Sequence, residues 1–284
     1  MANSPDWTEE DQRLALVRDP EFPDCSYERG CHLGQGGYAR VYKVRDIRNR
    51  GIFAGKTSPN SVKHLRKEAR ILRSLNHPNI VKYIEYFEES AYPAANILVM
   101  ELCAGGSLQT MIHNHPDGLT RKDTLQVLNQ VSQAVEYLHN NSRFHGDLKP
   151  RNILIRKWDP VEVVVADCAE IMHIGKSDDM WAIGISLLGM MSQWPTYYQK
   201  EHRIYTRRCA THARNLAEMN SDHEIVDLLV RLLEWDHKQR ITAPRLVELT
   251  TELLKARSQK LDGTPEPDRM NLKAPKGFQA VEFW

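Results

Sequence analysis

The stretch Phe144-His145-Gly146-Asp147-Leu148-Lys149-Pro150-Arg151-Asn152 sets a carboxylate, an ammonium and a carboxamide close together, and the apolar run Ile153-Leu154-Ile155 follows. Asp147 can accept a hydroxyl proton, Lys149 can neutralise a phosphate, and Asn152 can hold a divalent cation. These are three of the parts that phosphoryl transfer needs. A further carboxylate, Asp167, ends an apolar run over residues 161–166 that reads as a strand. An aspartate after a strand is as often a turn residue, but its distance beyond Asn152 suits a short hairpin returning to the same cleft.

The rest of the chain supplies elements able to position these groups. Cys31-His32-Leu33-Gly34-Gln35-Gly36-Gly37-Tyr38-Ala39-Arg40-Val41-Tyr42-Lys43-Val44 reads as strand, glycine turn, strand. Glycines there let backbone N–H groups approach phosphate oxygens without a Cβ in the way. Gly51-Ile52-Phe53-Ala54-Gly55-Lys56-Thr57 is the next strand. Val62, Leu65, Ala69 and Leu72 fall at helical spacing, with Asn60 or Ser61 as N-cap and Glu68 on the same helix. His77-Pro78-Asn79 breaks that helix, and residues 80–87 and 95–100 read as two more strands. Leu125, Leu128, Val131, Val135 and Leu138 mark a core helix over residues 120–140. Further helices are expected over residues 180–191, 222–235 and 244–255. Residues 1–24 read as a loose leader with one short helix near residues 8–17, and residues from about 256 onward as a flexible tail.

The segment from His145 to Asn152 closely resembles the protein-kinase catalytic loop H-R-D-x-K-x-x-N, with Gly146 in place of the arginine. The glycine turn resembles the kinase loop G-x-G-x-x-G-x-V, with Ala39 for the third glycine. The resemblance covers roughly residues 27–255. It implies an α+β, two-lobed protein-kinase fold, with a small β-rich lobe carrying one main helix and a larger, mostly helical lobe. The implied divisions are a leader (1–24), the small lobe and hinge (25–103), the large lobe (104–257) and a tail (258–284). It also implies ATP and Mg²⁺ as cofactors. Lys56 would reach the phosphates and pair with Glu68, and these two join Asp147 and Lys149 as catalytic residues. Gly34, Gly36, Gly37, Val41, Ala54, Lys56, Met100, Glu101, Cys103 and Leu154 would line the nucleotide, and Asn152 and Asp167 would hold the metal.

The chain also departs from that family. Asp167-Cys168-Ala169 stands where the family has D-F-G, and Asp179-Met180-Trp181-Ala182-Ile183-Gly184, resembling D-x-W-x-x-G, follows with no A-P-E between them. The floor for a peptide substrate is therefore missing, and Ser177 is the lone hydroxyl of the segment. The reading that follows is a serine/threonine-type phosphotransferase. Its rivals are a pseudokinase scaffold and, less strongly, a kinase of small molecules. Arg240, whose family partner is the A-P-E glutamate, should either meet water or find a substitute carboxylate such as Glu170 or Asp178.

Composition closes off other classes. Lys plus Arg is 38 against 37 for Asp plus Glu, for a net charge of +1, so charge suggests neither nucleic acid nor membrane as partner. The implied partner is a protein substrate or a scaffold partner. Cys25, Cys31, Cys103, Cys168 and Cys209 are scattered with no C-x-x-C pair, which argues against a disulfide framework or a zinc site. With no secretory signal and no apolar run long enough to span a bilayer, an intracellular setting, cytoplasmic or nuclear, is expected.

Overall fold

The computed structural model describes residues 6–17, 22, 25–37, 39–88, 95–168, 175–195, 205–260, 270 and 272–273. The small lobe is an antiparallel sheet of β1 (Tyr27–Gln35), β2 (Arg40–Asp46), β3 (Ile52–Thr57), β4 (Tyr83–Glu88) and β5 (Asn96–Glu101), in the order β1-β2-β3-β5-β4. Period-two alternation sorts its side chains. Ile97 and Val99 of β5 join Tyr27, Tyr42 and Val44 in an outer cluster, whereas Leu98 and Met100 join the main core. On that inner face lies α2 (Val62–Arg73), which buries Leu65, Glu68, Ala69 and Leu72. Register places Val41 opposite Lys56 and Lys43 opposite Ala54, so both lysines share one face of the sheet.

The leader is not loose where it is described. Helix α1 (Glu9–Ala15) begins at a Thr8–Asp11 capping box and packs along β1. Asp11, fully buried, accepts hydrogen bonds from Lys43 Nζ at 2.8 Å and from the Cys31 N–H at 2.8 Å. Sequence reading missed this docking because a short polar helix carries little hydrophobic signal.

The large lobe is built around α4 (Arg121–Asn140), whose Leu125, Leu128, Val131, Val135 and Leu138 are all buried. Around it stand α3 (Leu108–His113), α5 (Lys176–Met190), α6 (Tyr205–Met219), α7 (Glu224–Leu232) and α8 (Ala243–Lys260). A two-stranded ribbon, β6 (Ile153–Trp158) with β7 (Val161–Val165), lies against α4. The expected strand at residues 80–87 begins at Tyr83, because Val81 donates instead to Val165 at 2.9 Å. Helix α5 begins four residues before the apolar run, since its first turn is the polar Lys176-Ser177-Asp178-Asp179. Helix α8 continues past the expected end to Lys260. Beyond it Lys273 docks on Asn220 through two hydrogen bonds of 3.0 Å, so that part of the tail is held. Helices α3 and α6 were not anticipated. The end segment at residues 278–284 lies outside the described residues.

Candidate active site between the lobes

Lys56 sits on β3 with its ammonium 2.8 and 2.7 Å from the two carboxylate oxygens of Glu68. It reaches Asp167 Oδ1 as well, at 2.7 Å. One cation thus serves two carboxylates, one from the small lobe and one at the end of β7. Burial works against the charge on Lys56, but Glu68 and Asp167 together hold its pKa above the ordinary lysine value. Burial pushes Asp167 up, and the Lys56 charge outweighs it, leaving that carboxyl below its usual range. Glu68, only 3 % exposed, is shifted up by burial despite Lys56. Asp167 has a φ of 62°, an unusual conformation for a residue with a side chain, and its side chain remains 39 % exposed. Strain held beside open space suits a group kept ready for a ligand.

The second cluster follows β-ribbon geometry. Lys149 Nζ lies 2.7 Å from Asp147 Oδ2, and Asn152 Nδ2 donates to the Asp147 carbonyl at 2.8 Å and to Oδ2 at 3.1 Å. The Ala166 N–H donates to the Asn152 carbonyl at 2.8 Å, which sets Asn152 beside the residue preceding Asp167. The two clusters therefore share one cleft, as the spacing of Asn152 and Asp167 implied.

Asp179, the first-turn aspartate of α5, anchors the loop from beneath. It is 2 % exposed and accepts from the N–H groups of His145 (2.9 Å) and Gly146 (3.0 Å) and pairs with His139 Nε2 at 2.9 Å. Burial pushes its carboxyl up, but the His139 bond and the two N–H groups hold it below the usual range. Gly146 has φ 76°, a backbone region that glycine enters without a Cβ penalty. His145 Nε2 is 2.9 Å from the Ala166 carbonyl and ties the loop to β7. Sequence reading assigned no role to His139 or Asp179. The D-x-W-x-x-G likeness marked Asp179 as a helix start, and nothing in the spacing linked it to residue 139.

The remaining expected residues line the roof and hinge. Gly34 and Gly37 face open space, and a Cβ at Gly36 would meet only the Ala39 carbonyl at 3.9 Å. Ala54 stands opposite Met100, and both are buried. Leu154 pairs with the chain at Ser107 just past the hinge. Glu101 forks with Arg156 through two bonds of 2.9 Å, joining the hinge to β6. Burial pushes the Cys103 and Cys168 thiols up to about 12, so both are inert at neutral pH. None of the five cysteines forms a disulfide.

Residues 27–169 match the family described as protein kinase domain, half of the chain. This chain belongs to the protein kinase superfamily. Among its relatives, the serine/threonine-protein kinase polo of Drosophila melanogaster is 37 % identical over 150 residues, covering 50 % of this chain and 25 % of its own length. The CBL-interacting protein kinase 12 of Oryza sativa subsp. japonica is 28 % identical over 258 residues, 78 % of this chain and 46 % of its own length. The matches thus span less than half of either relative. A solved kinase structure, Rad53 1-466 in complex with AMP-PNP, superposes with a TM-score of 0.65 at 25 % identity, covering 76 % of this chain and 62 % of that one. The two-lobed kinase fold is thereby confirmed.

Arg240 is part-buried and forms no ion pair with a carboxylate among the described residues, so the expected access to water stays open to it. Its guanidinium donates to the Ser177 carbonyl (2.7 Å), the Ser177 hydroxyl (2.8 Å) and the Glu234 carbonyl (3.0 Å), and it lies 4.8 Å over the Trp181 ring. Asp178 acts on it only through space, without an ion pair among the described residues. Glu170 lies outside the described residues. Carbonyl dipoles and a ring face disperse the charge, a solution that patterns of charged residues do not reveal.

Proposed function

We propose that this chain binds ATP with Mg²⁺ between its lobes and transfers the γ-phosphate to a serine or threonine hydroxyl of a protein. The observation that carries this reading is Lys56 held between Glu68 and Asp167, in the same cleft as Asp147, Lys149 and Asn152. Lys56, steadied by Glu68, would hold the α- and β-phosphates, while backbone N–H groups at Gly34, Gly36 and Gly37 approach from above. The adenine would lie between Val41, Ala54 and Leu154, beside Met100 and against the Glu101–Cys103 backbone, where the Cys103 N–H has no acceptor among the described residues. Asp147 would orient the attacking hydroxyl and take its proton, and Lys149 would offset charge on the transferred group.

The residues also fit a divalent cation. Asn152 uses its Nδ2 to bind Asp147, which leaves Oδ1 for a metal, and Asp167 offers a half-exposed carboxylate. Two protein oxygens suffice for Mg²⁺, which otherwise takes water and substrate phosphate. When bound, the cation would neutralise phosphate charge.

The test is γ-phosphate transfer to generic protein substrates. Asp147→Asn should lower turnover by a factor on the order of 10²–10⁴ while leaving the MgATP-dependent rise in melting temperature intact. Equal turnover in the variant would reject the assignment. The short run between Asp167 and Asp179 favours a second reading, a nucleotide-binding scaffold. A melting shift with MgATP but no transfer to any protein or metabolite would establish that one.

A further inference from the structure

Helix α2 carries Glu68 on its buried face and an unbroken row of cations on the opposite one. Lys63, Arg66, Lys67, Arg70 and Arg73 are all exposed, at spacings of three and four residues that align them on one stripe. Glu68 is the helix's sole acidic residue, and it faces inward to Lys56. Arg66 pairs with Glu88, but Lys63, Lys67, Arg70 and Arg73 have no acidic partner among the described residues. Some exposed arginines elsewhere do find one, as Arg231 with Asp227, Arg214 with Glu234 and Arg245 with Glu248, while Arg13, Arg151 and Arg207 stand singly and not in a row.

The stripe also costs the helix stability. Like charges three and four residues apart repel, and Lys63 opposes the positive end of the helix dipole. No acid lies in the first turn, and Ser61 makes no side-chain cap. Arg143, from the loop after α4, bonds Ser74 at the C-terminus of α2 and carries the positive surface onto the large lobe.

We infer that this stripe, from Lys63 through Arg73 to Arg143, docks an acidic segment of a partner protein. Charge complementarity sets the chemistry, and the shape narrows the occupant. The cations of α2 span about 15 Å along one helix, which suits a single narrow polypeptide. No large apolar side chain is exposed on α2 to enter a bilayer, and its exposed residues include no Phe, Tyr or Trp on which successive bases could stack. An acidic occupant would remove the repulsion and firm the helix that holds Glu68. This docking does not depend on the proposed transfer activity.

Binding of a labelled, glutamate-rich peptide of about eight residues to the full chain tests the inference by fluorescence anisotropy. The triple variant Lys67→Ser, Arg70→Ser, Arg73→Ser should bind roughly tenfold more weakly, and raising salt from roughly 50 to roughly 200 mM should weaken the wild type similarly. A control losing equal charge elsewhere (Lys157→Ser, Arg231→Ser, Arg245→Ser) should bind as the wild type does. The stripe variant should melt no lower than the wild type, because repulsion has been removed. Should it fail to fold, Lys67→Ser alone supplies the reading. Bound peptide should slow hydrogen exchange of the α2 amides. Equal affinity in stripe and control variants, or no binding by the wild type, overturns the proposal. So does tighter stripe-dependent binding to phosphatidylserine vesicles or to a single-stranded oligonucleotide.

Discussion

Two lysines on the same face of the small-lobe sheet meet opposite fates. Lys43 on β2 is 2 % exposed and joined to one carboxylate, Asp11, whose oxygens also accept from Thr8 and Cys31. Charge there sums to zero and each partner is satisfied. Lys56 on β3 is 14 % exposed and shared by two carboxylates, one of them half open to the cleft. Three charges there leave an excess negative one, which a bound cation would complete. A closed pair holds the fold together, whereas an unbalanced triad keeps capacity for a ligand.

Replacing each lysine in turn should separate the two roles most sharply. Lys56→Met should reduce phosphate transfer by a factor on the order of 10²–10³, as expected when one preorganised donor is lost. Its melting temperature should fall less than that of the Lys43 variant, since one of the two carboxylates it leaves behind, Asp167, is 39 % exposed and reaches water. Lys43→Met should leave Asp11 buried and uncompensated, at a cost of ~3–5 kcal/mol. Within a stability of about 5–15 kcal/mol, that is a large loss. Calorimetry beside a transfer assay would read both, and equal melting of the two variants would erase the distinction. Pairing Lys43→Met with Asp11→Leu should then recover most of the loss, because an apolar pair leaves no stranded charge.

Acid titration sharpens the contrast further. Burial raises the Asp11 carboxyl, but Lys43 and the Thr8 and Cys31 N–H groups hold it far below its ordinary value. A depressed carboxyl adds stability that is full above the unfolded pKa, about 3.9, and is lost as pH falls through the folded value. Asp179 has the same sign. Melting temperature should therefore drop as pH falls below about 4, and Asp11→Asn should show a lower plateau with a shallower acid slope. A parallel slope would mean that Asp11 contributes nothing to acid lability.

The smallest effect belongs to Arg240, whose charge rests on carbonyls and a ring rather than on a carboxylate. Arg240→Met should cost about 1–3 kcal/mol through lost charged hydrogen bonds. Ser177→Ala should cost less, because the Ser177 carbonyl remains as acceptor. Urea denaturation of both variants would check the order.

These contrasts show where sequence reading reached and where it stopped. The Lys56–Glu68 pair and the Asp147 loop were legible through the likeness of their motifs to a known family, whereas the Lys56–Asp167 bond was not expected. The Lys43–Asp11 pair was not, because one member lies in an ordinary alternating strand and the other in a polar leader with no periodic signal. The contacts of Arg240 were hidden for a different reason. Residue types reveal candidate carboxylates, but a backbone carbonyl belongs to every residue and leaves no mark in the sequence. Helix α6 was missed although its face is amphipathic, since its buried positions Cys209, Ala210, His212 and Ala213 are small or polar and carry little hydrophobic signal beside Leu216. The early start of α5 shows a polar first turn hiding a boundary.

The link after α2 is laid onto β7. Val81 donates to the Val165 carbonyl, Val165 donates to the Asn79 carbonyl, and Asn79 Nδ2 reaches the Val163 carbonyl at 3.1 Å. The main apolar core also runs unbroken from Leu72 and Leu98 into Val135 and Val165. A strand of the large lobe therefore serves as the seam for the small one. Pulled apart or heated, the lobes have no weak joint at which to part first, and the chain should melt as a single cooperative unit.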